Sequence, residues 1–248
     1  FSFVVPTEFV DLPSQGRYYP EGHPLHNKDS IEIKQMTAKE EDILTSRTLL
    51  KKGVALERLL QSLIVDKSID PTTLLVGDRN AIIISARVSG YGNKYSVQIT
   101  CPACETKQNY DFNLNSLEVV HGEVDHTMDT TDNLDGTITC ILPKTEVTVV
   151  ARLLTGREEK NITNIMSGNN LISKQLESLI VSVNGDSSRK AIQYVSNNIP
   201  SIDSRHLRMV VKDATPNVDL TQEFSCTECG HEQEMEVPLT ANFFWPDR

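Results

Sequence analysis

Apolar and polar positions alternate with a period of two in Ile31-Glu32-Ile33-Lys34, and Val147-Thr148-Val149-Val150 follows a similar rule. Both read as strands. Each runs into a Thr-x-x-Glu sequence, Thr37-x-x-Glu40 or Thr155-x-x-Glu158. A threonine there can accept from an unpaired amide of a first helical turn, while the glutamate reaches back to the threonine's own amide; both sites mark helix starts. Apolar residues then recur at helical spacing over Val54 to Val65 and over Ile172 to Val183, predicting an amphipathic helix in each place. Asp78 and Asp203 read as N-caps of a third helix, packed by Ile82, Ile83 and Ile84 or by Leu207, Met209 and Val210. Gly90 and Gly92 would end the first of these, and the later part of the chain carries extra helix at about Arg189 to Ser196.

The recurrence of these elements suggests a repeat. Aligning Cys101 with Cys226, an offset of 125 (226 − 101), brings Asp78 onto Asp203, Gln108 onto Gln233, Leu114 onto Leu239 and Arg87 onto Lys212. Upstream, at smaller offsets, Leu60 and Ser62-Leu63-Ile64-Val65 recur as Leu176 and Ser178-Leu179-Ile180-Val181, and Thr37 to Glu41 recurs as Thr155 to Glu159. Three blocks in the same order point to an internal duplication. The expected fold class is α+β. Two helical halves, each strand–capped helix–helix–helix, are joined by a β-rich zinc-ribbon module formed from two distant Cys-x-x-Cys knuckles. The expected division is an extended N-terminal arm at 1–30, a first repeat with its knuckle at 31–118, a linker or loop at 119–141, a second repeat with its knuckle at 142–242, and an aromatic tail at 243–248. The acidic residues of the linker lack the fixed spacing and terminal glutamate of an EF-hand calcium loop.

Four of the five cysteines form the knuckles Cys101-Pro-Ala-Cys104 and Cys226-Thr-Glu-Cys229. Each lies between strand-like segments, and a two-residue spacer lets both thiolates of a knuckle face one ion. Two knuckles supply the tetrahedral thiolate set that zinc prefers, with no position left for water or substrate, so the expected cofactor is one structural Zn2+ held by Cys101, Cys104, Cys226 and Cys229. Residues 105–225 separate the pairs, a spacing that duplication explains if each half donates one knuckle. Mononuclear iron or an iron–sulfur centre, a less favoured assignment, uses the same four thiolates; a redox Cys-x-x-Cys and two disulfides are the remaining alternatives. Cys140 reads as a buried small hydrophobe.

Composition narrows the function further. The net charge of −10 argues against a surface built to grip phosphate backbones, so nucleic acid is not an expected partner. No stretch approaches the ~18 apolar residues of a membrane span, and Phe1 to Pro6 lack the features of a secretory signal. No phosphate-cradling glycine loop, nucleophile elbow or His-Glu-x-x-His is present, and the paired carboxylates Glu40-Glu41 and Glu158-Glu159 sit in first helical turns, so no enzyme activity is expected. Leu12, Arg17, Tyr18 and Tyr19 in a turn-rich segment, and Phe243, Phe244 and Trp245 near the end, are residue types suited to interfaces and are the expected partner contacts.

The order Leu12-Pro-Ser-x-Gly-x-x-Tyr-Pro, Met36-Thr-Ala-Lys-Glu-Glu-Asp-Ile-Leu44, Gly77-Asp-Arg-Asn80 and Cys101-Pro-x-Cys104 resembles the baseplate hub, or hub-assembly, proteins of T-even-like contractile-tailed bacteriophages. The similarity covers most of residues 10–115 and, more loosely, the second knuckle. It implies a non-enzymatic tail component, made in the cytoplasm of the infected bacterium, located in the virion baseplate and bound to other hub or wedge proteins. A transient hub-assembly chaperone absent from the mature virion, and a zinc-ribbon adaptor for nucleic acid or a polymerase, are the alternative readings.

Overall fold

A computed structural model describes residues 4–126, 129–165, 170–237 and 241–244. The chain opens with an antiparallel hairpin of β1 (Thr7–Asp11) and β2 (Ser30–Lys34), followed by α1 (Ala38–Thr45), α2 (Arg47–Lys51), α3 (Ala55–Leu63) and the long α4 (Val76–Tyr91). The hairpin β3 (Lys94–Thr100) and β4 (Lys107–Asn113) comes next, then the short β5 (Glu118–Val120). Strands β6 (Thr130–Asp132), β7 (Thr137–Ile141) and β8 (Thr148–Arg152) lead into α5 (Gly156–Ile165) and α6 (Leu171–Leu179). Strand β9 (Ile180–Val183) completes a four-stranded antiparallel sheet in the order β6-β7-β8-β9. Helices α7 (Arg189–Asn198) and α8 (Ser201–Ala214) precede β10 (Asn217–Asp219), which pairs with β5, and the hairpin β11 (Thr221–Ser225) and β12 (Glu232–Glu236). The fold is therefore mixed helix and strand.

Both capping boxes form. The Thr37 amide and hydroxyl donate to Glu40 at 2.9 and 2.6 Å, and the Thr155 amide donates to Glu158 at 3.0 Å. Glu40 goes further than a cap: fully buried, it also accepts from Ser62 at 2.5 Å and pairs with Lys34 at 3.0 Å. One carboxylate thus ties β2, α1 and α3 together. Burial alone would raise its pKa, but the hydrogen bonds from Ser62, Thr37 and Lys34 outweigh this and hold it at about 2.

The two amphipathic helices are shorter than periodicity predicts. α3 stops at Leu63 and α6 at Leu179, because the β-branched residues that follow turn into a sheet edge. Ile64 bridges Ile33, and Ile180–Val183 pairs with β8. A short apolar run fits either period, and only the neighbouring strand selects the extended form.

Asp78 and Asp203 are not N-caps. They are the third residues of α4 and α8, whose N-cap positions are Leu75 and Pro200. Both are buried, and each pins the connection that follows an earlier strand. Asp78 accepts from the Ser14 amide (3.0 Å), the Ser14 hydroxyl (2.6 Å) and the Tyr19 hydroxyl (2.7 Å). Asp203 accepts from the Lys144 and Thr145 amides (2.8 and 3.0 Å) and the Thr145 hydroxyl (2.7 Å). Burial pushes the Asp78 carboxyl up; at Asp203 burial also raises, but the Thr145 and Lys144 bonds hold it down.

Burial overturns the expected partner contacts at Leu12, Tyr18, Tyr19, Phe243 and Phe244, while Arg17 stays exposed. Leu12, Tyr18 and Tyr19 are buried in the chain's own core, and Arg17, though exposed, donates to the His121 carbonyl at 2.9 Å. Apolar area and hydroxyl groups that sequence leaves unassigned are consumed internally, because Asp78 supplies the acceptor. The described part of the 1–30 segment is consequently folded back rather than extended, and β1 pairs with β2 across the expected boundary. Phe243 and Phe244 are buried too: Phe243 packs edge-on against Tyr95, and its carbonyl accepts from the Arg87 Nε. Trp245 lies outside the described residues. Among the described residues of 119–141 are β6 and β7, which pair with each other.

Equivalent hydrogen bonds recur in the two hairpins that begin the halves. The pair Val10↔Ile31 corresponds to Cys140↔Val149. The Leu12 amide donates to the Asp29 carbonyl (2.7 Å) as Leu142 does to Val147 (3.0 Å), and Gln35 donates to the Pro6 carbonyl (2.9 Å) as Leu153 does to Gly136 (2.9 Å). The Ile33↔Ile64 bridge corresponds to Ala151↔Ile180. Where the halves meet, the Val76 amide donates to the Leu154 carbonyl (3.0 Å) and the Gly156 amide to Leu74 (2.9 Å). Gly77 is required there, since a Cβ would lie 1.9 Å from the Pro216 carbonyl oxygen.

Candidate metal centre

Each knuckle is the turn of a two-stranded hairpin. In the first, the Cys101 amide donates to the Thr106 carbonyl and the Glu105 amide returns to the Cys101 carbonyl, both at 2.9 Å. In the second, the Cys226 amide donates to His231 and the Gly230 amide to Cys226, again both at 2.9 Å. Both turns need a left-handed residue at the same place, supplied by Gly230 (φ 70°) and, less comfortably, by Glu105 (φ 59°). The amides that close these loops curl the backbone so that both sulfurs of a knuckle share one side.

The two hairpins then meet. The Cys101 and Cys229 sulfurs lie 3.8 Å apart, those of Cys104 and Cys226 lie 3.7 Å apart, and all four fall within 4.8 Å of one another. A tetrahedron of sulfurs ~2.3 Å from a central zinc has edges of about 3.8 Å. A disulfide would bring two sulfurs to about 2.05 Å, and all five cysteines are free thiols, so the two-disulfide alternative does not hold. Neither pair opens a helix, which removes the setting that activates a redox Cys-x-x-Cys. The four sulfurs can close around one metal ion.

Cys101 and Cys226 are buried, while Cys104 and Cys229 reach the surface. Hydrogen bonds from the Thr106 side chain and amide lower the Cys104 thiol to about 6. The His231 amide acts the same way on Cys229, yet desolvation and the neighbouring thiols raise it to about 12. Sulfurs this close cannot all carry charge beside one another unless a cation offsets the repulsion.

Side chains around the sulfurs also bridge the two hairpins. Gln108 on β4 accepts from the Thr227 amide and hydroxyl at 3.1 and 2.9 Å. Gln222 on β11 forms a two-way clasp with Asn113, at 3.2 and 2.8 Å. The Tyr110 hydroxyl donates to the Glu223 carbonyl at 2.9 Å, and its ring stands edge-on to Phe112 and Phe224. Sequence reading passed over Tyr110 and Gln222, whose partners lie more than a hundred residues away; only the Gln108–Gln233 match hinted at that face. The His231 Nε2 lies 3.2 Å from Gln233 Oε1. Cys140 stands apart in β7, fully buried, with burial raising its thiol pKa.

A protein-family model described as T4 bacteriophage base plate protein matches residues 6–245. No curated protein and no solved structure shows a match.

Proposed function

The chain belongs to the T4 bacteriophage base plate protein family, and from that premise we propose that it is a non-enzymatic structural component of the contractile-tail baseplate, seated in its hub region and held together by one structural zinc. The observation that carries the reading is the family match over nearly the whole chain, joined to four sulfurs that all lie within 4.8 Å of one another.

The zinc is proposed on Cys101, Cys104, Cys226 and Cys229. Four thiolates fill its coordination sphere, so the ion acts as a clamp and supplies no reaction. It draws the β3–β4 and β11–β12 hairpins together, with Gln108, Gln222 and Tyr110 fixing their orientation. The halves it joins are proposed as repeats at 31–118 and 142–242 with 119–141 between them, each extended backward by the strand that forms its hairpin; the matched ladder bonds favour a common origin. A braced acidic body suits a subunit that must transmit load between neighbours. Its location is proposed as the virion tail baseplate, after synthesis in the host bacterial cytoplasm, with other hub or wedge proteins as partners.

Mass spectrometry of purified tails and of hub intermediates tests the reading. A stoichiometric presence in mature tails supports a structural subunit. Presence in intermediates alone would assign the chain to transient assembly instead. Metal analysis of the purified protein should find about one zinc per chain; the visible absorbance of an iron–thiolate centre would replace zinc by iron. Salt-dependent DNA retention in a gel shift would favour a nucleic-acid adaptor.

A further inference from the structure

A basic groove lies between α1 and α3, and we propose that it receives the acidic face of the β11–β12 hairpin of a second copy, so that molecules join head to tail. The inference goes beyond the baseplate reading and does not depend on it.

The groove has a volume of about 440 Å³ and is lined by Lys34, Lys39, Arg58 and Lys67, with Ile43 and Leu49 as its apolar part. No carboxylate lines it. Glu40 lies against it but is fully buried, and its oxygens are taken by Lys34, Ser62 and Thr37. Lys67 is locked in place, its ammonium donating to the Gln61 and Ile64 carbonyls at 2.8 and 2.5 Å and to Ser62 at 3.3 Å. Burial, with Lys34 and Lys39 close by, pulls the Lys67 pKa down despite Glu40. These cations are crowded beyond what one carboxylate offsets.

The matching positions of the second half are better balanced. Lys34, Lys39 and Arg58 correspond to Arg152, Arg157 and Lys174. Gln61 corresponds to Glu177, which pairs with Lys174 at 3.1 Å, and Lys67 corresponds to Val183. The first half therefore keeps a cation that the second lacks, and lacks an acid that the second keeps.

The metal-site hairpins depart in the opposite sense. With Cys101 aligned on Cys226, Gln98, Lys107, Asn109 and Asp111 correspond to Glu223, Glu232, Glu234 and Glu236. Gln222 and Phe224 face the first hairpin, so the alternating glutamates stand on the solvent side, and all four are exposed. None of them makes an ion pair among the described residues. Glu223 stands directly across the ladder from Glu234, where the first hairpin pairs Gln98 with Asn109. Like charges placed opposite one another weaken a hairpin unless a cation comes to them.

The same chain thus presents two faces, each carrying the charge that the other lacks. No residue of β11 or β12 lines the groove, so the faces meet between molecules. Either face against itself would oppose like charges, which disfavours a symmetric dimer. A contact between two different faces is heterologous, and it repeats into a ring or a filament.

Sedimentation of the purified full chain tests this. Association should be reversible and should weaken at least about tenfold between about 0.1 M and about 1 M salt, as the screening length falls from about 10 Å to about 3 Å. Lys39→Glu with Arg58→Glu reverses the groove. Glu232→Lys with Glu234→Lys reverses the hairpin face and relieves the Glu223–Glu234 repulsion, so that variant should fold at least as well. Each double variant alone should be monomeric. An equimolar mixture of the two, or one chain carrying all four substitutions, should associate again, a result that misfolding cannot produce. An unsubstituted chain that stays monomeric at low salt, association indifferent to both reversals, or failure of the four-substitution chain to associate would each overturn the inference. Should the monomeric outcome come with loss of the groove-reversed chain from tails, the groove serves an acidic segment of another protein or of this one, and the second copy is excluded. The baseplate reading stands under all of these results and falls separately, with absence of the unsubstituted chain from tails.

Discussion

Cys226→Ser is the sharpest test of how the molecule is held together. The substitution removes a buried sulfur 3.7 Å from Cys104 and leaves the remaining thiols unable to complete a tetrahedral set. Its cost follows from topology. Residues 105–225 lie between the knuckles, so an ion bound by both pairs would close a loop of that length across the unfolded chain. Chain-entropy reasoning puts the stabilisation from such a cross-link at about 5 kcal/mol, and a change of 1 kcal/mol moves the melting temperature of a chain this size by about 2–4 °C. The expected fall is therefore about 10–20 °C relative to zinc-loaded protein, with a matching fall when the unsubstituted protein is stripped by chelator. Calorimetry measures the shift, and hydrogen exchange locates it. Protection should drop in β3–β4 and β11–β12, whose cross-hairpin bonds then stand alone, while α1 and α3, tied by Glu40, keep theirs. A variant melting within about 2 °C of the unsubstituted protein, with unchanged exchange at both hairpins, would refute the idea that distant thiolates clamp the halves.

Glu40 predicts acid sensitivity: its carboxyl is held at about 2 when folded, against an ordinary value of 4.5, so its contribution of about 3 kcal/mol is present above about pH 4.5 and is lost as pH falls toward 2. Urea melts from pH 5 to 2 should show Glu40→Gln with a flatter decline than the unsubstituted chain. Gly77→Ala forces a methyl group against the Pro216 carbonyl, and should cost at least about 2 kcal/mol by loosening α4 from β10, read as a lower urea midpoint with unchanged metal content. Arg87→Met leaves the Phe243, Gly92 and Lys94 carbonyls without their buried donor, at about 3 kcal/mol, and limited proteolysis should then cut near residue 243 before any other site.

Local chemistry was legible in the chain from the start. Capping boxes at Thr37 and Thr155 act within one helical turn, and a Cys-x-x-Cys turn curls on itself through bonds to residues four and five positions on, so neighbours in sequence suffice to specify them. The two Cys-x-x-Cys pairs, each between strand-like segments, pointed to the four cysteines that the fold gathers. What lay beyond sequence were choices made by a partner from elsewhere in the chain. Ile180–Val183 became a strand because β8 offered a ladder, and Asp78 turned inward because Ser14 and Tyr19 supplied donors. Tyr18, Tyr19, Phe243 and Phe244 looked free for other proteins until the core claimed them. A side chain's composition states what it can bury or bond; which surface receives it is settled by the packing of segments far apart in sequence, and that is a property of the folded molecule alone.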